Sequence, residues 1–196
     1  MTATRTYELK QRAQRQEETR RRIVSAAVEL HTTLGPSRTT VQAIADRAGV
    51  TRPTVYAHFP DARSLFEACS GHVRETIPPP DADAWDSVAD PAERLETALR
   101  QVYAYYERLE TLLDNVERDA AVMPVIAEIG AYRRRYLEQA RDRLLEGWPA
   151  RGRAKARVRR AIGHALEFAT WKSLVRGQGC TTREAVELMV DLARAA

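Results

Sequence analysis

Two short helical patterns that meet at Gly49 constrain this chain more than any other feature of its sequence. Val41, Ile44, Ala45 and Ala48 recur at helical spacing, so one face of residues 41–48 is apolar. Thr40 precedes the pattern as an N-cap, its side-chain oxygen placed to accept a first-turn N–H, and Gly49 can end it by taking a positive φ. Thr51 then caps a second short helix. Arg52 and Pro53 fill its first turn, where the N–H that proline lacks is not needed. Val50, Val55 and Phe59 turn inward in this reading, which leaves Arg52, Thr54, Tyr56 and His58 as an outward polar set. Two helices joined by a tight glycine turn make a helix-turn-helix, a unit that enters the major groove of DNA by the N-terminus of its second helix. A pair of core helices in another all-α protein shares the same local pattern.

The longer string TVQAIADRAGVTRPTVYAHFPDARSLF, residues 40–66, is more specific. Thr39-Thr40 stands before the first helix, Ile44-Ala45 and Ala48-Gly49-Val50 lead into the turn, and Thr54-Val55-Tyr56, His58-Phe59 and Ser64-Leu65-Phe66 follow. With these residues the chain resembles the DNA-binding region of the tetracycline-repressor (TetR) family of bacterial regulators, from Ile23 to about Cys69. Beyond Cys69 the likeness is mainly one of architecture. The resemblance implies an all-α fold in which an N-terminal three-helix DNA-binding domain precedes a helical ligand-binding and dimerisation domain.

Each candidate DNA contact has its own chemistry. The guanidinium fork of Arg52, in the first turn of the second helix, can bond O6 and N7 of guanine, with a phosphate contact as its other use. Pro53 cannot donate, but it can touch a thymine methyl; the family often has glycine here. Thr40, Thr51, Thr54, Tyr56 and His58 can bond phosphate oxygens and fix register without reading sequence. Tyr56 and His58 match the family's tyrosine and histidine in that role. Gln42 lies on the outer side of the preceding helix, where the family reads a base or a phosphate. A lysine common in the family three residues beyond Phe59 is replaced by Ala62, and Arg63, next in the chain, is the candidate substitute.

Charge agrees with this placement. The 196 residues carry a net charge of +4. Residues 1–63 hold 11 Lys and Arg against 6 Asp and Glu, while the remainder holds 20 against 21. All the excess positive charge therefore lies with the helix-turn-helix, where counterion release from a phosphate backbone uses it. No apolar run approaches the roughly 18–20 residues of a membrane span. The polar N-terminus does not read as a secretory leader, and two distant cysteines, Cys69 and Cys180, make neither a disulfide framework nor a metal motif. A cytoplasmic location is expected. His31, His72 and His164 lack convergent partners, so neither metal nor cofactor is expected. The absence of a nucleophile–base pair argues against an all-α enzyme.

Along the chain, residues 1–15 read as a mobile arm bearing Arg5, Lys10, Arg12 and Arg15. A helix is expected from Gln16 to Leu34, with Ile23, Ala26, Ala27, Leu30 and Leu34 inside and Gly35-Pro36 as its stop; Arg20, Arg21 and Arg22 near its start oppose the helix dipole. Asp61 caps a fourth helix, carrying Leu65, Phe66 and Val73 to about Ile77. Pro78-Pro79-Pro80 then marks a boundary between a domain at 1–77 and another at 81–196. Residues 81–90 read as an acidic loop around Trp85. Further helices are expected from Pro91 through Leu112-Leu113 with breaks, from Pro124 to Leu144, over 153–176, and from a Thr182 cap to the end, the last with Ala185, Leu188, Met189 and Leu192 inside.

Family architecture implies that the last two helical stretches, about 153–176 and 182–194, pair chains into a homodimer, with Ala161, Ala165 and Ala169 letting helices approach beside Ile162, Leu166 and Leu188. It also implies a small-molecule site, for which Tyr103, Tyr106, Met123, Phe168 and Trp171 are candidate lining residues; plain core packing is the other reading of those five. The basic run Arg151, Arg153, Lys155, Arg157, Arg159 and Arg160 reads as a solvated helix start, with a second nucleic-acid patch as the weaker alternative. The expected function is a ligand-responsive repressor acting on a palindromic operator. The alternatives are a DNA-binding regulator without an effector, or an activator.

Overall fold

Residues 2–196 are described in the computed structural model of the chain, with side chains from Tyr7 onward. Among the described residues the regular structure is entirely helical. The chain forms two compact units. One comprises Met1–Thr76 with Thr111–Ile129, the other Ile77–Glu110 with Gly130–Ala196.

The first unit opens with α1, Thr2–Thr33. The expected mobile arm is instead helix, continuous with the rest of α1. No glycine or proline occurs before Gly35, and Arg, Glu, Gln, Lys, Leu and Ala dominate residues 8–17, all good helix formers. Arg20, Arg21 and Arg22 thus lie in the helix interior, and the dipole cost expected of them is absent. Lys10, Arg12 and Arg15 are exposed; Arg5 lies outside the described side chains. Ile23, Val24, Ala26 and Ala27 are buried in one cluster with Ile44, Ala45, Ala48, Val55, Phe59, Leu65 and Cys69. Leu34 does not join it. The helix stops at Thr33, so Leu34 falls on the turn and is 44% exposed.

Helices α2 (Val41–Ala48), α3 (Arg52–His58) and α4 (Ala62–Thr76) complete the motif region. The Asp61 carboxylate accepts the Ser64 N–H at 2.7 Å, which caps α4 as expected. The same unit takes in the end of α5 (Pro91–Ala120) and all of α6 (Pro124–Ile129). The breaks expected within α5 do not occur, because residues 92–123 contain neither glycine nor proline.

In the second unit the acidic segment after the prolines forms a 3₁₀ turn at Ala82–Ser87 rather than a bare loop. Trp85 is buried there, and its indole N–H donates to Gln101 at 2.8 Å. The single helix expected from Pro124 to Leu144 divides at Gly130 into α6 and α7 (Ala131–Leu144). The helix expected over 153–176 is also interrupted: α8 (Gly152–Ala165) ends before Leu166, and α9 (Phe168–Lys172) runs into a π turn at Ser173–Gly177. Two tyrosines of α5 account for this break. Tyr103 donates its hydroxyl to the Ala165 carbonyl at 2.9 Å, and Tyr106 to that of Leu166 at 2.5 Å. They satisfy carbonyls that a continuous helix would have used internally.

Helix α10 (Thr182–Ala195) is capped by Thr181, not Thr182. Thr181 and Glu184 form a reciprocal capping box, and the Thr182 hydroxyl donates to Glu107 instead. Ala185 and Met189 are buried with Val186, Val190 and Ala193. Leu188 and Leu192, expected inside, are 49% and 43% exposed, because the buried stripe falls one residue away from them on the helix wheel.

His31 gives the first unit a pH dependence. Its ring is 5% exposed and stacks on Phe66 with centroids 5.0 Å apart. Burial lowers its pKa to about 4, against a smaller opposing pull from Asp119. An unfolded chain takes up this proton near 6.5, so the contribution is complete above that pH and is lost as pH falls towards 4. The loss amounts to about 3 kcal/mol. Denaturant unfolding at pH 7 and pH 4.5 should show this loss, and His31→Leu should flatten it.

Candidate nucleic-acid interface

The local geometry of α2 and α3 follows from their caps. Thr40 accepts the Ala43 N–H at 3.1 Å. Gly49 takes φ 65 and ψ 42, the left-handed conformation in which side chains are strained. Its N–H donates to Asp46 at 3.3 Å, and the next N–H, of Val50, to Ala45 at 3.0 Å. These bonds satisfy the last carbonyls of α2 and turn the chain sharply into α3. Thr51 accepts the Thr54 N–H at 3.4 Å, and the two hydroxyls lie 2.8 Å apart.

Val55 and Phe59 are buried beneath α3, so its other side faces outward. Arg52, Pro53 and Tyr56 are exposed there, with Thr51 just before them; Thr54 and His58 are half-buried. Arg52 already lies along the helix: its guanidinium donates to the Tyr56 hydroxyl at 3.3 Å and sits 5.6 Å from the ring centre. Gln42 is exposed on α2 and donates to Asp46 at 2.8 Å. Thr40 is exposed at the start of that helix. Arg63 stands on the first turn of α4, engaged by the Glu128 carboxylate, which raises its pKa, and lies 3.9 Å from Glu67.

Arg20, expected only as an unfavourable charge near the start of α1, and Arg47, which no local pattern singled out, support this surface. Arg20 donates to the His58 carbonyl at 3.4 Å and lies 4.4 Å above the Phe59 ring, a cation at the C-terminal end of α3. Arg47 donates to Glu29 at 2.8 Å and ties α2 to α1. Neither has a sequence signal, because each partner is set by helix packing and not by spacing.

The proposed lining residues divide. Tyr103, Tyr106, Phe168 and Trp171 are fully buried in one aromatic cluster of the second unit, with Tyr106 to Phe168 and Phe168 to Trp171 centroids both at 5.4 Å. Met123 is half-buried and belongs to the first unit. The Trp171 indole N–H is buried without a hydrogen-bond acceptor. Arg176 lies 5.2 Å over the Trp171 ring and pairs with Glu110, whose carboxyl it holds low.

Among the described residues no three His, Cys, Asp or Glu side chains gather as a metal site, and no helix is long and apolar enough to cross a membrane. His72 is half-buried, and His164 Nδ1 lies 3.3 Å from the Thr170 hydroxyl. Burial pushes the Cys69 thiol up to about 12.

A capped glycine turn, a buried inner face and a basic, hydroxyl-rich outer face make a helix-turn-helix, a motif that suits the major groove of DNA. Residues 23–69 match the family of bacterial regulatory proteins, tetR family. Over 179 residues, 88% of this chain and 85% of the relative, the sequence is 29% identical to an uncharacterized HTH-type transcriptional regulator of Mycobacterium tuberculosis. Over 52 residues, 26% of this chain and 24% of the relative, it is 46% identical to the HTH-type transcriptional regulator SrpR of Pseudomonas putida. The fold is similar to that of a TetR-like transcriptional regulator from Rhodococcus sp. RHA1, with TM-score 0.62, 21% identity and coverage of 89% and 93% of the two chains. It is also similar to a TetR transcription regulator from Haloarcula marismortui, with TM-score 0.62, 16% identity and coverage of 91% and 98%. Residues 23–69 thus carry a helix-turn-helix of the tetR-family kind, and over most of its length the chain is similar to HTH-type transcriptional regulators.

Arg52→Ala tests the role of the outer face. It should cost about 1–3 kcal/mol of specific binding and relax preference at one base position. Quantitative binding to single-base variants of a selected duplex measures both effects.

Proposed function

We propose that this regulator is a cytoplasmic homodimer that represses transcription from a palindromic operator and releases it on binding a small molecule. The observation that carries the reading is the outer face of α3, which presents exposed Arg52 and Tyr56 beside Thr51, Thr54 and His58; in this reading Arg52 reads base edges while the other four hold the phosphates. Thr40, Gln42 and Pro53 extend the contact. Arg63 reaches DNA in this reading only by leaving Glu128.

Pairing is supported by the economics of a small module and by an exposed apolar strip. A helix-turn-helix gains specificity by binding two half-sites about 34–36 Å apart, which needs two copies. Leu188 and Leu192 lie one turn apart on α10, and both are substantially exposed. Ala161, Ala165, Ile162 and Leu166 are buried within the chain, so the pairing surface reduces to Leu188, Leu192 and exposed Ala169.

The aromatic cluster supports effector binding. A buried N–H without an acceptor is unfavourable by roughly 1–3 kcal/mol. A largely apolar effector that brings an acceptor to the Trp171 indole relieves that cost. Repression lifts when the ligand prefers a state whose recognition helices are mis-spaced.

Selection of bound duplexes from random DNA, at stated salt and with the intact protein, tests this reading. Two inverted half-sites about one helical turn apart and a complex containing two copies are expected. A single unrepeated half-site bound by one copy contradicts the dimer. A promoter whose output rises when the protein occupies its site contradicts repression.

A further inference from the structure

We propose that Asn115, Arg118 and Asp119, near the end of α5, are positioning residues for DNA recognition: they clasp the link between α1 and α2 and set where the helix-turn-helix begins. The proposal rests on DNA reading by α3 and is independent of the effector and of repression.

The last carbonyls of α1 have no partners within the helix. Asn115 donates its side-chain amide to two of them, His31 at 3.2 Å and Thr32 at 2.7 Å. Arg118 donates to the Leu34 carbonyl, on the turn just beyond α1, at 3.4 Å. Beyond the turn the polarity reverses, and Asp119 accepts the Ser37 N–H at 2.8 Å. Spacings of three and four residues put these side chains on one face of α5. Donors therefore meet the carbonyls where α1 ends, and an acceptor meets the amide where the chain turns towards α2.

The three also hold one another. Arg118 donates to Asp119 at 2.8 Å and to the Asn115 side-chain oxygen at 2.7 Å. Asp119 is 2% exposed and Asn115 8%. Such groups are costly to bury unless their bonds are complete, and here both polar ends are engaged. These bonds hold the Asp119 carboxyl down at about 2, so it stays ionised at neutral pH.

Gly35 supplies an independent observation. It takes φ 95, and a Cβ built there would collide with the Arg118 guanidinium and lie 2.8 Å from the Asp119 carboxylate. Glycine is therefore required by the turn, and any side chain there would also push the Arg118 guanidinium off its partners. Its carbonyl accepts the Thr39 hydroxyl at 2.8 Å, and Thr40, the next residue, caps α2. A continuous path of bonds runs from α5 to the first residue of the DNA-reading pair.

The test uses full-length protein carrying Asp119→Ala or the nearly isosteric Asp119→Asn. It compares the duplex that wild type enriches from random DNA with an unrelated duplex of equal length, alongside amide exchange at Ser37, Ala43 and Val55. Asp119→Ala should lose about tenfold in affinity for the enriched duplex, the worth of one hydrogen bond to a charged group. Affinity for the unrelated duplex, set by exposed cations, should hold. Exchange should quicken at Ser37 and Ala43 while Val55 stays protected. Asp119→Asn, which keeps an acceptor for Ser37 but no charge for Arg118, should fall between. Unchanged discrimination in both variants overturns the proposal. Equal loss of protection at Ser37 and Val55 also overturns it, because the residues then serve stability alone. If wild type enriches no duplex, operator recognition fails separately, and the exchange pattern still decides whether the clasp sets the start of α2.

Discussion

Burial of Val55 and Phe59 in one cluster with Ile23, Ala27, Ile44 and Ala48 fixes which side of α3 faces outward. A seven-residue helix has almost no stability of its own. Burying a single phenylalanine contributes about 1.5–3 kcal/mol, more than the ~1 kcal/mol typical of a cap. The outward direction of Arg52, Thr54 and Tyr56 is therefore a consequence of the inner face, with Gly49 setting the angle at which α3 leaves α2. Arg20 strengthens the same arrangement from below by covering the Phe59 ring and answering a carbonyl at the far end of α3. The apolar cluster thus decides which polar groups the outer face presents.

The second unit solves a different problem with similar means. Tyr103 and Tyr106 bring large aromatic bodies into its core, and their hydroxyls answer the carbonyls freed where α8 stops. That pairing lets a long helical stretch bend without leaving buried acceptors unsatisfied. It also places Phe168 and Trp171 against Tyr106, one end of an aromatic cluster whose indole N–H has no acceptor. Burial drives the hydroxyls of both tyrosines well above their ordinary range, so they remain donors at any physiological pH.

Local signals made much of this legible in the sequence. Thr40, Thr51 and Asp61 cap the helices expected of them, Gly49 takes its left-handed turn, and Pro91 and Pro124 each open a helix. Each of those features is decided within a few residues. What stayed hidden depends on distant partners. The break after Ala165 comes from tyrosines about 60 residues away, and the roles of Arg20 and Asn115 come from helices packed across the first unit. Continuity of α1 was missed for another reason: a polar stretch with scattered charge resembles a tail in composition, although its residues are good helix formers without a breaker. Leu188 and Leu192 show the limit of periodicity, since a stripe of mixed Val, Ala, Met and Leu fits two neighbouring faces.

A crystal structure of the protein on its enriched duplex tests the central claim most directly. The N-terminal turn of α3 should lie in the major groove, with the Arg52 guanidinium released from Tyr56 and set against a guanine edge, and with Thr51, Thr54 and Tyr56 on phosphates. A complex in which α3 lies clear of the groove, or in which Arg52 stays folded on Tyr56 away from the bases, would contradict it.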